Sequence, residues 1–141
     1  MTRLLVPLLC LSALGVGCTA SVDTTPAPPP PAEPVGTATG NLVLDWSING
    51  AKDPNLCYQS NASAISVEVF DSFGQSAGTF AQDCTAFATT ITLPADNYTA
   101  NAFLQDVNGQ PRTTAVPINP FTIHGNDELS IPIDFPSSSF F

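Results

Sequence analysis

Basic residues are scarce in this chain. Three Lys and Arg residues stand against twelve Asp and Glu residues, so the formal net charge is −9 at pH 7. A surface this acidic repels phosphate groups, which argues against nucleic acid as a partner. Charged residues make up only 11% of the sequence, against roughly a quarter in an average protein. Uncharged polar residues therefore supply most of the polarity, which suits strands and turns.

Motifs for catalysis and cofactor binding are also lacking. His124 is the only histidine, and no Ser or Cys stands beside it in a nucleophile motif. The sequence contains no phosphate-binding glycine loop and no zinc-ligand spacing. The acidic segments at Asp71 and Asp106 each bring too few carboxylates for calcium, which takes about six to eight oxygen ligands. We therefore expect no enzyme activity, no cofactor and no metal site.

The first seventeen residues have the pattern of an export signal. Arg3 supplies a short positive start, and the apolar run LLVPLLCLSALGVG follows it. This run is shorter than the roughly 20 apolar residues that a membrane span needs. We predict a signal peptide over residues 1–17, which would carry Cys10 away with it.

A single cysteine stands at the end of this apolar run. The segment LGVGC, which ends at Cys18, resembles the lipobox of bacterial lipoproteins. The resemblance implies cleavage after Gly17, a diacylglycerol on Cys18 and acylation of its amine by a fatty acid such as palmitate. The segment departs from the usual pattern at Gly15, where that family has Leu or another branched residue. Ordinary cleavage, for instance after Ala20, would instead release a soluble periplasmic or secreted protein.

The residue after Cys18 bears on the membrane in which the protein would reside. In the resembled family an aspartate at this position favours retention in the inner membrane, whereas this chain has Thr19. The resemblance therefore implies a lipid-anchored protein of the cell outer membrane, attached to the membrane through its N-terminal lipid.

A proline-rich segment follows the predicted anchor. Residues 18–40 contain six prolines and no large apolar residue beyond two valines. Such a composition buries too little surface to offset chain entropy, which predicts a disordered linker over 18–40. We place a sandwich domain at 41–136 and a C-terminal tail at 137–141.

Short alternating apolar runs, broken by turn residues, fill the rest of the chain. Their spacing is typical of an all-β sandwich. No stretch keeps a sustained 3.6-residue period, so no helix is expected after the signal. We predict a single seven-stranded antiparallel β-sandwich, Ig-like or transthyretin-like. The five clear runs are 41–48, 63–71, 86–94, 97–106 and 128–135, and the two weaker runs are 77–83 and 112–118.

Two turns share the motif Asp-x-x-Gly-Gln at the end of an apolar run. Asp71 and Asp106 can accept hydrogen bonds from backbone N–H groups two or three residues on, while Gly74 and Gly109 supply positive φ. The motif predicts two tight turns of one kind.

Cys57 and Cys84 are the only cysteines beyond Cys18. Two cysteines in an exported protein favour a disulfide. A metal site would need further Cys or His ligands, and the sequence has one histidine and no CxxC motif. The enclosed loop of about 28 residues corresponds to roughly 3–4 kcal/mol of stabilisation. We expect Cα atoms within about 7 Å.

The segment LPADNYTANAFLQDVNG resembles the later strands of Ig-like, fibronectin-like and carboxypeptidase-regulatory-like sandwiches. In those folds the equivalent tyrosine closes a corner with its hydroxyl bonded to backbone, which the resemblance carries over to Tyr98. The order of motifs over about two-thirds of the chain is also similar to small uncharacterised lipoproteins of myxobacteria-like genomes. That second resemblance implies no particular activity.

Two hypotheses of function follow from these features. The first is a cell-envelope lipoprotein that presents a small β-sandwich as a binding or structural module to an unknown envelope protein or glycan. The second is a small envelope hydrolase or inhibitor that acts through its loops. A cleft lined by convergent polar groups would favour the second hypothesis.

Overall fold

The computed structural model describes residues 37–141, which contain seven strands and one α-helix. The helix α1 spans Pro54–Gln59, and two 3₁₀ turns cover Cys84–Ala86 and Ser137–Ser139. Within residues 37–141, no helix is long and apolar enough to cross a membrane. The predicted signal peptide, the predicted lipidation site at Cys18 and nearly all of the predicted linker lie outside the described residues. The strands are β1 (Thr39–Ile48), β2 (Ala64–Asp71), β3 (Ser76–Asp83), β4 (Ala88–Pro94), β5 (Asp96–Gln105), β6 (Val116–Ile123) and β7 (Glu128–Phe135).

Two sheets pack face to face, which confirms the predicted seven-stranded sandwich. One sheet has the order β4-β1-β7 and the other has the order β3-β2-β5-β6. Because successive side chains of a strand point to opposite faces, alternate residues of each strand enter the space between the sheets. The core between them is built mainly from Leu42, Leu44, Trp46, Ile65, Val67, Val69, Ile91, Leu93, Ala102, Leu104, Ile123 and Phe135.

One pair of neighbouring strands is parallel. Strand β1 pairs with β7 in parallel register, from Asn41 opposite Glu128 to Ile48 opposite Phe135. Every other strand pairing is antiparallel. The expectation of a uniformly antiparallel sandwich is therefore wrong for this pair. Alternation along a strand specifies which face a side chain takes and leaves the direction of the neighbouring strand open.

The helix α1 contradicts the expectation that no helix follows the signal. The Asp53 carboxylate caps its start by accepting a 2.9 Å hydrogen bond from the Asn55 N–H group, and Pro54 occupies the first turn. Both residues are typical of a helix N-terminus. Because the helix has only six residues, it is too short to show a period of 3.6.

The sixth strand lies further along the chain than predicted. The weak run at 112–118 suggested a strand there, whereas β6 spans Val116–Ile123 and contains Pro117 and Pro120. Proline is tolerated here because β6 is at the edge of its sheet. One side of the strand has no neighbouring strand and so needs no backbone N–H donors.

The two Asp-x-x-Gly-Gln turns are confirmed. The Asp71 carboxylate accepts hydrogen bonds from the N–H groups of Phe73 (2.9 Å) and Gln75 (2.8 Å). The Asp106 carboxylate accepts the equivalent bonds, at 2.8 and 3.0 Å, from residues two and four positions on. The glycine of each turn has positive φ, 74° and 76°. Each carboxylate is thus occupied by its own turn.

The predicted tyrosine corner is also confirmed. The Tyr98 hydroxyl donates a 2.9 Å hydrogen bond to the carbonyl oxygen of Pro94, at the point where the chain crosses from β4 in one sheet to β5 in the other. The Tyr98 ring is buried and stacks on Phe121 at a centroid distance of 5.9 Å. Burial raises the pKa of the Tyr98 hydroxyl above its ordinary value, with smaller contributions from the charges of Asp96 and Asp71.

Candidate binding cleft beside helix α1

A disulfide fixes α1 to the body of the sandwich. Cys57 lies in α1 and Cys84 begins the 3₁₀ turn that precedes β4, and the two residues form a disulfide with a Cα–Cα distance of 6.0 Å. Both side chains are fully buried. The predicted pairing is confirmed, and it holds the irregular segment between β1 and β2 against the end of the core.

Asp83 orders the turn that carries Cys84. Its carboxylate accepts hydrogen bonds from the hydroxyl group of Thr85 (2.6 Å) and from the Thr85 N–H group (2.8 Å). These two bonds lower the pKa of Asp83 below its ordinary value because they stabilise the charged form, and the bond from the hydroxyl group has the larger effect. The side chain itself is exposed, so the effect is local.

The C-terminal end of α1 meets Arg112. The Ser60 hydroxyl caps the helix by donating a 2.7 Å hydrogen bond to the carbonyl oxygen of Leu56. The Ser60 carbonyl oxygen in turn accepts a 3.3 Å hydrogen bond from Nε of Arg112. The N–H group of Arg112 donates to the carbonyl oxygen of Leu104, at 2.7 Å. Arg112 therefore joins α1 to the end of β5.

The residues after β7 fold back onto the same region. Thr113 and Phe140 form an isolated β-bridge, and the Phe141 N–H group donates a 3.2 Å hydrogen bond to the carbonyl oxygen of Arg112. The Thr113 hydroxyl is buried and accepts a 3.0 Å bond from the Leu104 N–H group. Phe140 is half-buried against the core, whereas Phe141 is 76% exposed. The backbone of Arg112 is thereby held on both sides.

These elements border an open cleft of about 330 Å³ at the end of the sandwich where β1 and β7 terminate. We call it the α1 cleft. Its walls combine aliphatic and aromatic side chains with amide and hydroxyl groups and one guanidinium. No carboxylate side chain lines it. The lining residues are Ile48, Asn49, Leu56, Gln59, Ser60, Arg112, Ser137, Phe140 and Phe141.

The charge in the α1 cleft is unlike that of the rest of the chain. Residues 37–141 contain one salt bridge. It joins the exposed side chains of Lys52 and Asp45, with a nitrogen–oxygen distance of 2.9 Å. Arg112 is half-buried and makes no such pair with the described residues. A chain of net charge −9 thus places an uncompensated guanidinium in a partly apolar cleft.

Other residues considered from the sequence lie apart from the α1 cleft. His124 is exposed in the connection from β6 to β7. Within the described part of the chain, no three His, Cys, Asp or Glu side chains come together as metal ligands. Sequence reasoning missed Arg112, although it is one of only two basic residues after the signal.

No family model matches the sequence, and no curated protein matches it. Solved structures resemble its fold at low sequence identity. GBS52, the minor pilin of Streptococcus agalactiae, is 15% identical over 70% of this chain and 44% of its own, with a TM-score of 0.46. A proposed polysaccharide-binding protein from Bacteroides thetaiotaomicron is 11% identical over 66% of this chain and 46% of its own, with a TM-score of 0.45.

A leucine-rich repeat protein from Bacteroides thetaiotaomicron is 18% identical over 72% of this chain, with a TM-score of 0.40. The match spans only 14% of that protein. This chain thus spans less than half the length of each of the three proteins. The likeness concerns the fold alone.

Proposed function

We propose that the protein is a cell-envelope lipoprotein of the outer membrane that presents its β-sandwich as a binding or structural module without catalytic activity. The lipid is attached at Cys18, and the proline-rich residues that follow hold the module clear of the membrane. The partner is a protein or glycan of the envelope.

The disulfide is the observation that carries this proposal. Disulfides persist in oxidising compartments and are rare in the cytosol. The bond between Cys57 and Cys84 therefore supports an extracytoplasmic location, in agreement with the signal-like residues 1–17. It also accounts for both cysteines of the sandwich, which leaves Cys18 as the cysteine available for lipid attachment after removal of the signal.

The form of the domain supports a module in preference to an enzyme. The polar groups that line the α1 cleft are amides, hydroxyls and a guanidinium, and these groups bind ligands but do not include a general base or an activated nucleophile. The carboxylates of Asp71 and Asp106 are each committed to a turn. The His124 side chain lies in a different loop from the α1 cleft.

Membrane fractionation tests the lipid anchor. Cys18→Ser should move the protein from the membrane fraction to the soluble fraction and abolish labelling by a palmitate analogue. The matched control is Cys10→Ser, which removes a cysteine from the predicted signal and should leave both fractionation and labelling unchanged. Persistent membrane association of the Cys18→Ser protein, or loss of labelling in the Cys10→Ser protein alone, would contradict the proposal.

A further inference from the structure

We infer that the α1 cleft binds a carboxylate carried beside an apolar side chain, as at the C-terminal residue of a peptide. This inference deepens the proposed function, because it names a ligand class for the module. It rests on residues 37–141 and does not require a lipid at Cys18, so the two proposals can fail separately.

Arg112 selects the carboxylate. Its Nε group is used by the Ser60 carbonyl oxygen, at 3.3 Å, and its terminal nitrogens make no hydrogen bond to the described residues. A guanidinium in this state can form two parallel hydrogen bonds with one carboxylate. No acidic side chain lines the α1 cleft, and no carboxylate of the described residues lies within 4 Å of the Arg112 nitrogens.

The backbone around Arg112 is held in place before any ligand arrives. Its N–H group donates to Leu104, its carbonyl oxygen accepts from Phe141, and its Nε group reaches the end of α1. The disulfide fixes α1 itself through Cys57. A guanidinium held this way loses little freedom on binding, which lowers the entropic cost of recognition.

The walls of the α1 cleft select the apolar group next to the carboxylate. Leu56 and Phe140 present partly exposed hydrocarbon surface, and Phe141 adds an exposed ring. A volume of about 330 Å³ lies at the lower end of the usual range for small-ligand pockets, roughly 300–1,000 Å³. This space suits one residue with its terminal carboxylate better than a long chain.

The remaining polar groups can bond the amide that precedes the terminal residue. Asn49 and Gln59 each bring an amide, and Ser137 brings a hydroxyl. Amide side chains both donate and accept, as a peptide group requires. An acidic sugar has no apolar side chain, so it would leave the apolar side formed by Leu56, Phe140 and Phe141 without a matching group. The chemistry therefore favours a peptide end over an acidic glycan.

Titration of the full chain by amide NMR, with three small probes, tests this inference. N-acetyl-L-leucine carries both features and should produce saturable shifts at α1, at residues 111–114 and at 137–141. Removing the charge, as in N-acetyl-L-leucinamide, should weaken binding at least tenfold, as expected for the loss of a charged hydrogen-bonded pair. Glucuronate carries the charge without the apolar group and should bind at least tenfold more weakly than N-acetyl-L-leucine.

Variants separate a specific guanidinium contact from general attraction. Arg112→Gln should weaken binding of N-acetyl-L-leucine at least tenfold, and Arg112→Lys should recover part of the loss. Lys52→Gln is the matched control, because it removes the other basic side chain of the described domain and lies outside the α1 cleft. It should leave binding unchanged.

Several results would overturn the inference. They are equal binding of the acid and its amide, unchanged binding in Arg112→Gln, and absence of any saturable shift with N-acetyl-L-leucine. Tighter binding of glucuronate would assign the α1 cleft to acidic glycans instead. If Arg112→Gln does not fold, the comparison of acid with amide on the unmodified chain decides alone.

Discussion

The indole N–H group of Trp46 donates a 3.0 Å hydrogen bond to the carbonyl oxygen of Cys84. Trp46 lies in β1 and is fully buried, while Cys84 begins the turn that enters β4 and carries half of the disulfide. The backbone N–H group of Trp46 donates a separate hydrogen bond to the carbonyl oxygen of Phe87, at 3.1 Å. Trp46 thus holds the segment to which α1 is covalently tied, through its side chain at Cys84 and through its backbone at Phe87.

Replacing Trp46 by Phe should destabilise the domain by at least about 2 kcal/mol. The change leaves a buried carbonyl oxygen without its donor, which alone costs about 1–3 kcal/mol, and it also leaves a cavity. Chemical denaturation followed by circular dichroism measures the free energy of unfolding. A loss below about 0.5 kcal/mol would show that the bond to Cys84 is replaced by water.

Removing the disulfide should lower the free energy of unfolding by about 3 kcal/mol, which corresponds to a fall in Tm of more than 10 °C for a domain of this size. The double variant Cys57→Ala, Cys84→Ala tests this by thermal denaturation, and the oxidised parent protein is the control. Combined with Trp46→Phe, the losses should not be additive, because both changes release the same turn. Full additivity would mean that the indole and the disulfide act independently.

The raised pKa of Tyr98 predicts a loss of stability in alkali. The folded state disfavours the tyrosinate, whereas the unfolded chain ionises near a pH of about 10. The stability that depends on the neutral hydroxyl is therefore complete below that pH and is lost as the pH rises through the higher pKa of the folded state.

Two variants isolate this effect. Tyr58→Phe removes the other tyrosine, so that ultraviolet absorbance reports Tyr98 alone. In this background, unfolding by denaturant at pH 8 and pH 11 should show a fall in stability that the further change Tyr98→Phe reduces. At pH 8 that change should cost about 1 kcal/mol or less, the net worth of one hydrogen bond. The same alkaline loss with and without Tyr98 would contradict the assignment.

Gly40 marks a close approach between β1 and the connection from β6 to β7. A Cβ atom at this position would overlap the carbonyl oxygen of His124 and lie 2.9 Å from that of Asp127. Because both atoms belong to the backbone, Gly40→Ala should cost about 3 kcal/mol or more. Gly74→Ala is the control: it has open space but a φ of +74°, so it should cost only about 1–2 kcal/mol. Equal losses in the two variants would refute the steric explanation.

Local patterns predicted much of this fold, since each depends on residues close in sequence. The Asp71 turn is specified by five consecutive residues, whereas the corner of Tyr98 was implied by the resemblance of LPADNYTANAFLQDVNG to Ig-like sandwiches. The disulfide was predicted from the number of cysteines after Cys18 and from the expectation of export to an oxidising compartment. Helix α1 was missed because six residues give no period, although Asp53 followed by Pro54 is a start signal that could have been read.

The α1 cleft could not be predicted in the same way. Its walls come from the end of β1, from α1, from Arg112 and from the residues after β7, and folding alone brings these together. The parallel pairing of β1 with β7 was equally hidden, because alternation is the same for either direction of a neighbouring strand. Contacts between distant segments are therefore where the sequence was least informative.

That parallel pairing determines how the domain responds to tension. The chain enters β1 at Thr39 and leaves β7 at Phe135, and these two points lie at opposite ends of the sandwich. A force between these two points acts along the strands. It loads all the paired residues of β1 and β7, from Asn41–Glu128 to Ile48–Phe135, at the same time and in shear. If β1 and β7 were antiparallel, both points would lie at the same end of the sheet, and the hydrogen-bonded pairs would open one at a time from that end. Forced unfolding is governed by the rate of barrier crossing, so the domain should resist a force applied between Thr39 and Phe135 by shear.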